Sequence, residues 1–82
     1  MFHKIKNIIP KENLIIIAEF ENGIIKQYDI KKILDKIEVF NKLKDKNIFN
    51  NVKVDVGGYG ISWNEDIDLS AEEIWENGVE YN

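Results

Sequence analysis

Glu65, Asp66 and Asp68 follow one another closely in the last third of the sequence. Hard cations take carboxylate oxygens, so this group is the first candidate for Mg²⁺ or Ca²⁺. The spacing argues against it. The calcium-loop pattern Asp-x-Asp-x-Asp-Gly is missing, and acids just ahead of a helix N-terminus are favoured by its dipole without any metal. His3 is the only histidine. General-base chemistry needs an oriented partner for the imidazole, and none stands out, so His3 is expected to be exposed and idle. Ser62 and Ser70 are the only serines, threonine is absent, and neither serine lies in a Gly-x-Ser-x-Gly context. Gly57-Gly58-Tyr59-Gly60 has the glycines of a phosphate loop, but it joins two apparent strands, and a turn explains it. These residues predict no catalytic site, no metal and no cofactor.

Charge is the stronger signal. All 11 lysines lie in residues 1–53 against 7 acids, a balance of +4, while residues 54–82 hold 8 acids and no lysine, a balance of −8. An acidic surface disfavours a phosphate backbone and suits a basic protein. Trp and Tyr dominate interface energetics, and this third also holds Tyr59, Trp63, Trp75 and Tyr81. The tryptophans are expected in the core. That leaves Tyr59, Glu65, Asp66, Glu72, Glu76, Glu80 and Tyr81 as the predicted partner-binding residues, facing a small basic protein or a second copy of the chain. The alternative is that the two parts face each other in the fold and partly neutralise.

Lys31, Lys32, Lys36, Lys42, Lys44, Lys46 and Lys53 make a basic segment over 31–53. Nucleic-acid binding would want stacking aromatics or arginines beside them. Arginine is absent, and Phe40 and Phe49 sit at core spacing. A solvated helix face is the simpler reading.

At 82 residues the chain predicts one domain spanning 1–82. A chain this short buries only about 60% of its unfolded surface, so an association partner is physically reasonable. With no cysteine, disulfides and thiol chemistry are excluded. No apolar run is long enough to span a bilayer. Met-Phe-His-Lys-Ile-Lys leads into no signal-peptide h-region. The chain reads as cytoplasmic.

The elements that must position these residues follow from pattern. Lys4–Ile9 reads as a strand with Ile5 and Ile8 or Ile9 inward, then Pro10–Asn13 as a turn. Leu14–Phe20 is a strand, turned by Glu21-Asn22-Gly23. A two-residue turn would pair Phe20 with Ile25. A three-residue loop with Gly23 left-handed would instead pair Phe20 with Ile24, Ile16 with Tyr28 and Leu14 with Ile30. The second collects the apolar side chains on one face with only Lys26 among them, and register follows the buried face. Over 30–49 the spacing predicts two or three short helices, capped by Asp29 and Asp45, with Ile33, Leu34, Ile37, Val39, Phe40 and Leu43 inward. Val52, Val54 and Val56 alternate into Gly57-Gly58, and a two-residue turn there would set Val56 opposite Tyr59, Val54 opposite Ile61 and Val52 opposite Trp63. Ser70-Ala71-Glu72-Glu73 is a capping box for a helix over 71–77, which Gly78 stops.

In order, the landmarks are Ile16-x-x-x-Phe20-x-Asn22-Gly23, Tyr28-Asp29-Ile30, Phe40-x-x-Leu43-x-Asp45-x-x-x-Phe49, Val52-x-Val54, Gly60-Ile61-x-Trp63 and Asp68-Leu69-Ser70. Together they resemble the domain-of-unknown-function family 2442, small bacterial proteins, over almost the whole chain. The resemblance implies a small α+β domain with antiparallel strands. Some members resemble the N-terminal part of two-domain proteins that carry a helix-turn-helix. Others sit beside a gene for a second small protein, an arrangement like a toxin–antitoxin pair. It implies no catalytic residues.

The sequence thus predicts an α+β fold: a small antiparallel sheet built from an N-terminal β-meander and a Gly-Gly hairpin, short helices at about 30–49, and a capped helix at about 71–77. The expected function is a non-enzymatic protein-interaction module, the acidic, antitoxin-like partner of a small basic protein encoded nearby. A nucleic-acid-associated accessory domain using 31–53 comes second, and an enzyme or small-ligand binder third.

Overall fold

Strand β1 (Ile5–Lys11) turns into β2 (Ile15–Phe20) and then β3 (Ile25–Asp29), all antiparallel, in a computed structural model that describes residues 2–81. The β2–β3 register is the one the buried face demands. Ile16 lies opposite Tyr28, the Phe20 amide donates to the Ile24 carbonyl at 2.8 Å, and Gly23 takes φ +91°. Open space surrounds Gly23, so glycine is there for its backbone angle alone. The predicted Leu14–Ile30 pair does not form. The ladder ends at Ile15 and Asp29, where Leu14 turns left-handed and the Asp29 carboxylate caps the next turn, accepting from the Lys31 amide at 2.9 Å. Pro10 lies inside β1 rather than in the turn, which an edge strand tolerates because proline has no amide to donate.

Residues 30–49 form three short helical pieces, as expected, but two of them are 3₁₀ turns, Ile30–Lys32 and Glu38–Lys44. The last is α1 (Lys46–Phe49), capped by the Asp45 side chain on the Asn47 amide. Ile33, Leu34, Phe40, Leu43 and Phe49 are buried. Ile37 is not, contrary to its predicted place. Its backbone is extended, so the helical period breaks there and the side chain leaves the apolar face.

The second sheet runs β4-β5-β6, from β4 (Lys53–Val54), β5 (Gly60–Asn64) and β6 (Ile67–Ser70). Val54 pairs with Ile61 as predicted. The turn is wider than predicted. The Asp55 amide donates to the Gly60 carbonyl at 2.9 Å, which closes a four-residue loop over Val56–Tyr59. Gly57 and Gly58 both take positive φ, +86° and +82°. A Cβ on Gly58 would meet the Ile5 carbonyl oxygen at 2.7 Å. That close approach seats the loop on β1 and turns Val56 and Tyr59 outward instead of pairing them on the buried face.

Helix α2 (Ala71–Asn77) follows directly, and β7 (Val79–Glu80) returns to pair with β3, giving the first sheet the order β1-β2-β3-β7. Ser70 accepts from the Glu73 amide at 3.1 Å. The reciprocal half of the capping box is replaced, because the Glu73 carboxylate takes the Tyr28 hydroxyl at 2.8 Å and the Asn77 amide at 2.9 Å. Gly78 ends the helix with an ordinary negative φ, and its role is space: a Cβ there would lie 2.5 Å from the Ile74 carbonyl. The core joins both sheets to α2 through Phe20, Tyr28, Ile61, Ile67 and Ile74; among the described residues no charged residue is buried, and the buried Trp63 indole N–H has no hydrogen-bond partner.

Candidate functional site

The first turn of α2 meets the N-terminal arm. The Glu72 carboxylate accepts the His3 backbone amide at 2.6 Å and lies 3.1 Å from His3 Nδ1. These two hydrogen bonds from His3, backbone first, hold the Glu72 carboxyl below the usual carboxylate range. The imidazole lies flat on Trp75, centroids 3.8 Å apart and planes 9° from parallel. Trp75 in turn sets its edge on Phe20, and the Lys26 ammonium stands 4.2 Å from the indole centre. Lys26, the one charge on the apolar face of the meander, is thus absorbed by a cation–π contact and by its bond to the Trp75 carbonyl. His3 is therefore neither exposed nor idle, which corrects the expectation drawn from the sequence. It ties the arm to α2.

Three large apolar side chains of the N-terminal arm and the Val56–Tyr59 loop face solvent. Phe2 is 73% exposed, Tyr59 51% and Val56 101%. Phe2 meets Tyr59 edge-to-face, with centroids 5.8 Å apart, and the Lys4 ammonium stands 5.3 Å from the Tyr59 ring. Phe2, His3, Tyr59, Ser70 and Glu72 line a shallow pocket of about 390 Å³. An apolar floor beside a fixed carboxylate suits a side chain that is both apolar and cationic.

The seven predicted partner-binding residues do not form one surface. Tyr59 and Glu72 come together in this pocket. Glu76 is exposed one turn further along α2, on the same face as Glu72. Glu65 and Asp66 are exposed at the β5–β6 turn, the opposite end of that hairpin from Gly60 and Ser70, about 13 Å along the strands. Glu80 lies on β7 opposite Lys26, and Tyr81 continues from it, its amide donating to the Ile25 carbonyl. These two occupy the edge of the other sheet. Phe2, His3 and Val56 were not legible as site residues, because nothing local in the sequence links the chain start to α2 or puts a valine outside.

The other candidates resolve into local structure. Asn64 accepts from the Asp66 and Ile67 amides, shaping the turn that carries Glu65 and Asp66. Among the described residues no three His, Cys, Asp or Glu side chains come together as a metal-holding group. Ser62 donates to Asp55 at 2.6 Å, while His3 faces Glu72. Burial, with the Glu73 hydrogen bond second, raises the Tyr28 phenol, so it stays a donor at physiological pH. The seven lysines of 31–53 are all exposed. Among the described residues the only ion pair between residues 1–53 and 54–82 is His3–Glu72, so the two charge fields are not neutralised by direct pairing. No helix of the described residues is long and apolar enough to cross a membrane.

The two small antiparallel sheets and short helices define an α+β domain. The model of the family described as "Protein of unknown function (DUF2442)" matches residues 5–80, and the chain belongs to that family. No curated protein and no solved structure matches the chain.

Proposed function

We propose that the domain is a non-enzymatic, cytoplasmic protein-interaction module that binds a small basic protein, in the manner of an antitoxin encoded beside its partner. The observation that carries this reading is the Val56–Tyr59 loop. Two positive-φ glycines and a tight seat on β1 hold Val56 wholly in water, and the same loop ends on Tyr59, which lines the pocket with Phe2 and the Glu72 carboxylate. Burying such side chains is worth about 1.5–3 kcal/mol each, and Phe2 and Tyr59 meet edge-to-face, as interface anchors do. Glu72 and Glu76 add the charge that would steer a basic partner.

The nucleic-acid reading has less support. The lysines of 31–53 are exposed but spread over separate short pieces, arginine is absent, and the Phe40 and Phe49 rings are buried. The test is capture of the basic protein encoded next to this chain. Glu72→Lys with Glu76→Lys should weaken capture, and Lys42→Glu with Lys44→Glu should not. The reverse pattern, with release by nuclease, favours nucleic acid. A monodisperse dimer without that partner assigns the surface to self-association.

A further inference from the structure

A second cleft lies on the basic part of the molecule, between the β1–β2 turn and the 38–50 segment, with a volume of about 670 Å³. We propose that it binds an extended acidic peptide carrying an apolar side chain. Its accessible apolar side chain is the half-buried Leu14, with Leu43 and Phe49 buried behind it, and its rim carries Lys11, Lys44 and Lys46. None of the three lysines has an ion-pair partner among the described residues. Glu12 is the single acid lining the cleft, and Asp45, between Lys44 and Lys46, is engaged in capping α1.

The turn that forms one wall is held in an uncommon shape. Asn13 and Leu14 both take left-handed backbone angles, φ 61° and 60°. For a leucine this is a strained conformation. The Lys31 ammonium bonds the Asn13 carbonyl and anchors the turn. Strain and tether together present Leu14 to the cleft and keep the wall in place before any ligand arrives, which lowers the ordering cost of binding.

The chemistry of the walls selects the occupant. The Leu14 side chain under a lysine rim favours an anion that also carries an apolar group over a bare inorganic one. A nucleic acid would need exposed ring faces, and Phe49 is buried. A peptide backbone needs donors and acceptors together, and the Asn13 and Asn50 side chains on the lining supply both. This site has the opposite charge to the α2 surface and does not depend on the reading of that surface.

The test titrates the ¹⁵N-labelled domain with a fluorescein-labelled ten-residue peptide of alternating Glu and Asp around a central Leu-Phe. Saturable shifts at Lys11, Asn13, Leu14, Lys44, Lys46 and Asn50 are expected, with anisotropy affinity falling as salt rises. Lys44→Glu with Lys46→Glu should weaken binding about tenfold or more at low salt. Both side chains are exposed, so an unchanged thermal midpoint will show that the fold is kept. Leu14→Ser should weaken binding of the same peptide without altering its salt dependence. Absence of saturable shifts, shifts at Val56 and Tyr59 instead, or undiminished binding by the lysine variant would each overturn the proposal. Tighter binding of a single-stranded oligonucleotide of equal charge in the same cleft would overturn it too.

Discussion

His3 lies flat on Trp75, 3.8 Å between ring centres, with the two residues drawn from opposite ends of the chain. The stack exists because Glu72, one turn earlier on α2, grips both the backbone and the ring of His3. Aromatic stacking and a charge-assisted hydrogen bond together hold the N-terminal arm against the helix. Phe2 is thereby placed beside Tyr59 on the proposed partner surface.

The staple depends on pH through Glu72. Its carboxyl titrates below the ordinary value of 4.5 because His3 hydrogen bonds favour the charged form. A lowered folded-state value contributes stability that is complete above the unfolded value and is lost as pH falls through the folded one. The stability advantage of the wild-type chain over Glu72→Gln should therefore be present above the ordinary carboxylate value of 4.5 and be lost as pH falls below it. Urea midpoints measured on either side of that value would show it, and a difference that does not shrink on acidification would contradict it.

Ser70→Ala should destabilise the domain by about 1 kcal/mol, because the Glu73 amide loses its cap. The Glu73 carboxylate is committed to Tyr28 and Asn77, so it offers no compensating bond. An unchanged urea midpoint would mean the cap contributes nothing.

Gly23 and Gly58 share a left-handed backbone but differ in surroundings. A Cβ on Gly23 meets nothing within 4 Å, whereas one on Gly58 meets the Ile5 carbonyl at 2.7 Å. Gly23→Ala should cost about 1–2 kcal/mol from the backbone angle alone, and Gly58→Ala distinctly more. Equal losses in thermal unfolding would show that the loop is not seated on β1.

The sequence carried the β2–β3 register, because only one choice put Ile16, Phe20 and Tyr28 on the same face. It carried the Asp29, Asp45 and Ser70 caps for the same local reason. What it hid was decided at long range. Gly57-Gly58 allows several loops, and the contact of Gly58 with Ile5 selects the wide one. The Val79–Glu80 strand is too short to signal itself and forms because β3 offers an open edge. The His3–Glu72 contact spans nearly the whole chain and has no local pattern. The proposed partner surface therefore shows in the sequence only as acidic and aromatic composition, not as a place.

In the proposed function, the Val56–Tyr59 loop and the acidic face of α2 bind a basic protein. Isothermal titration with the basic protein that such a proposal requires, taken from the neighbouring gene, is the decisive measurement, using Val56→Asp, Glu72→Lys with Glu76→Lys, and Lys42→Glu with Lys44→Glu. Val56 is wholly exposed, so Val56→Asp should leave stability within about 0.5 kcal/mol. The predicted result is strong binding by the wild-type chain, loss of at least about tenfold for the first two variants, and none for the lysine variant. Binding that survives Val56→Asp and the α2 reversals but fails with the lysine variant would contradict the account.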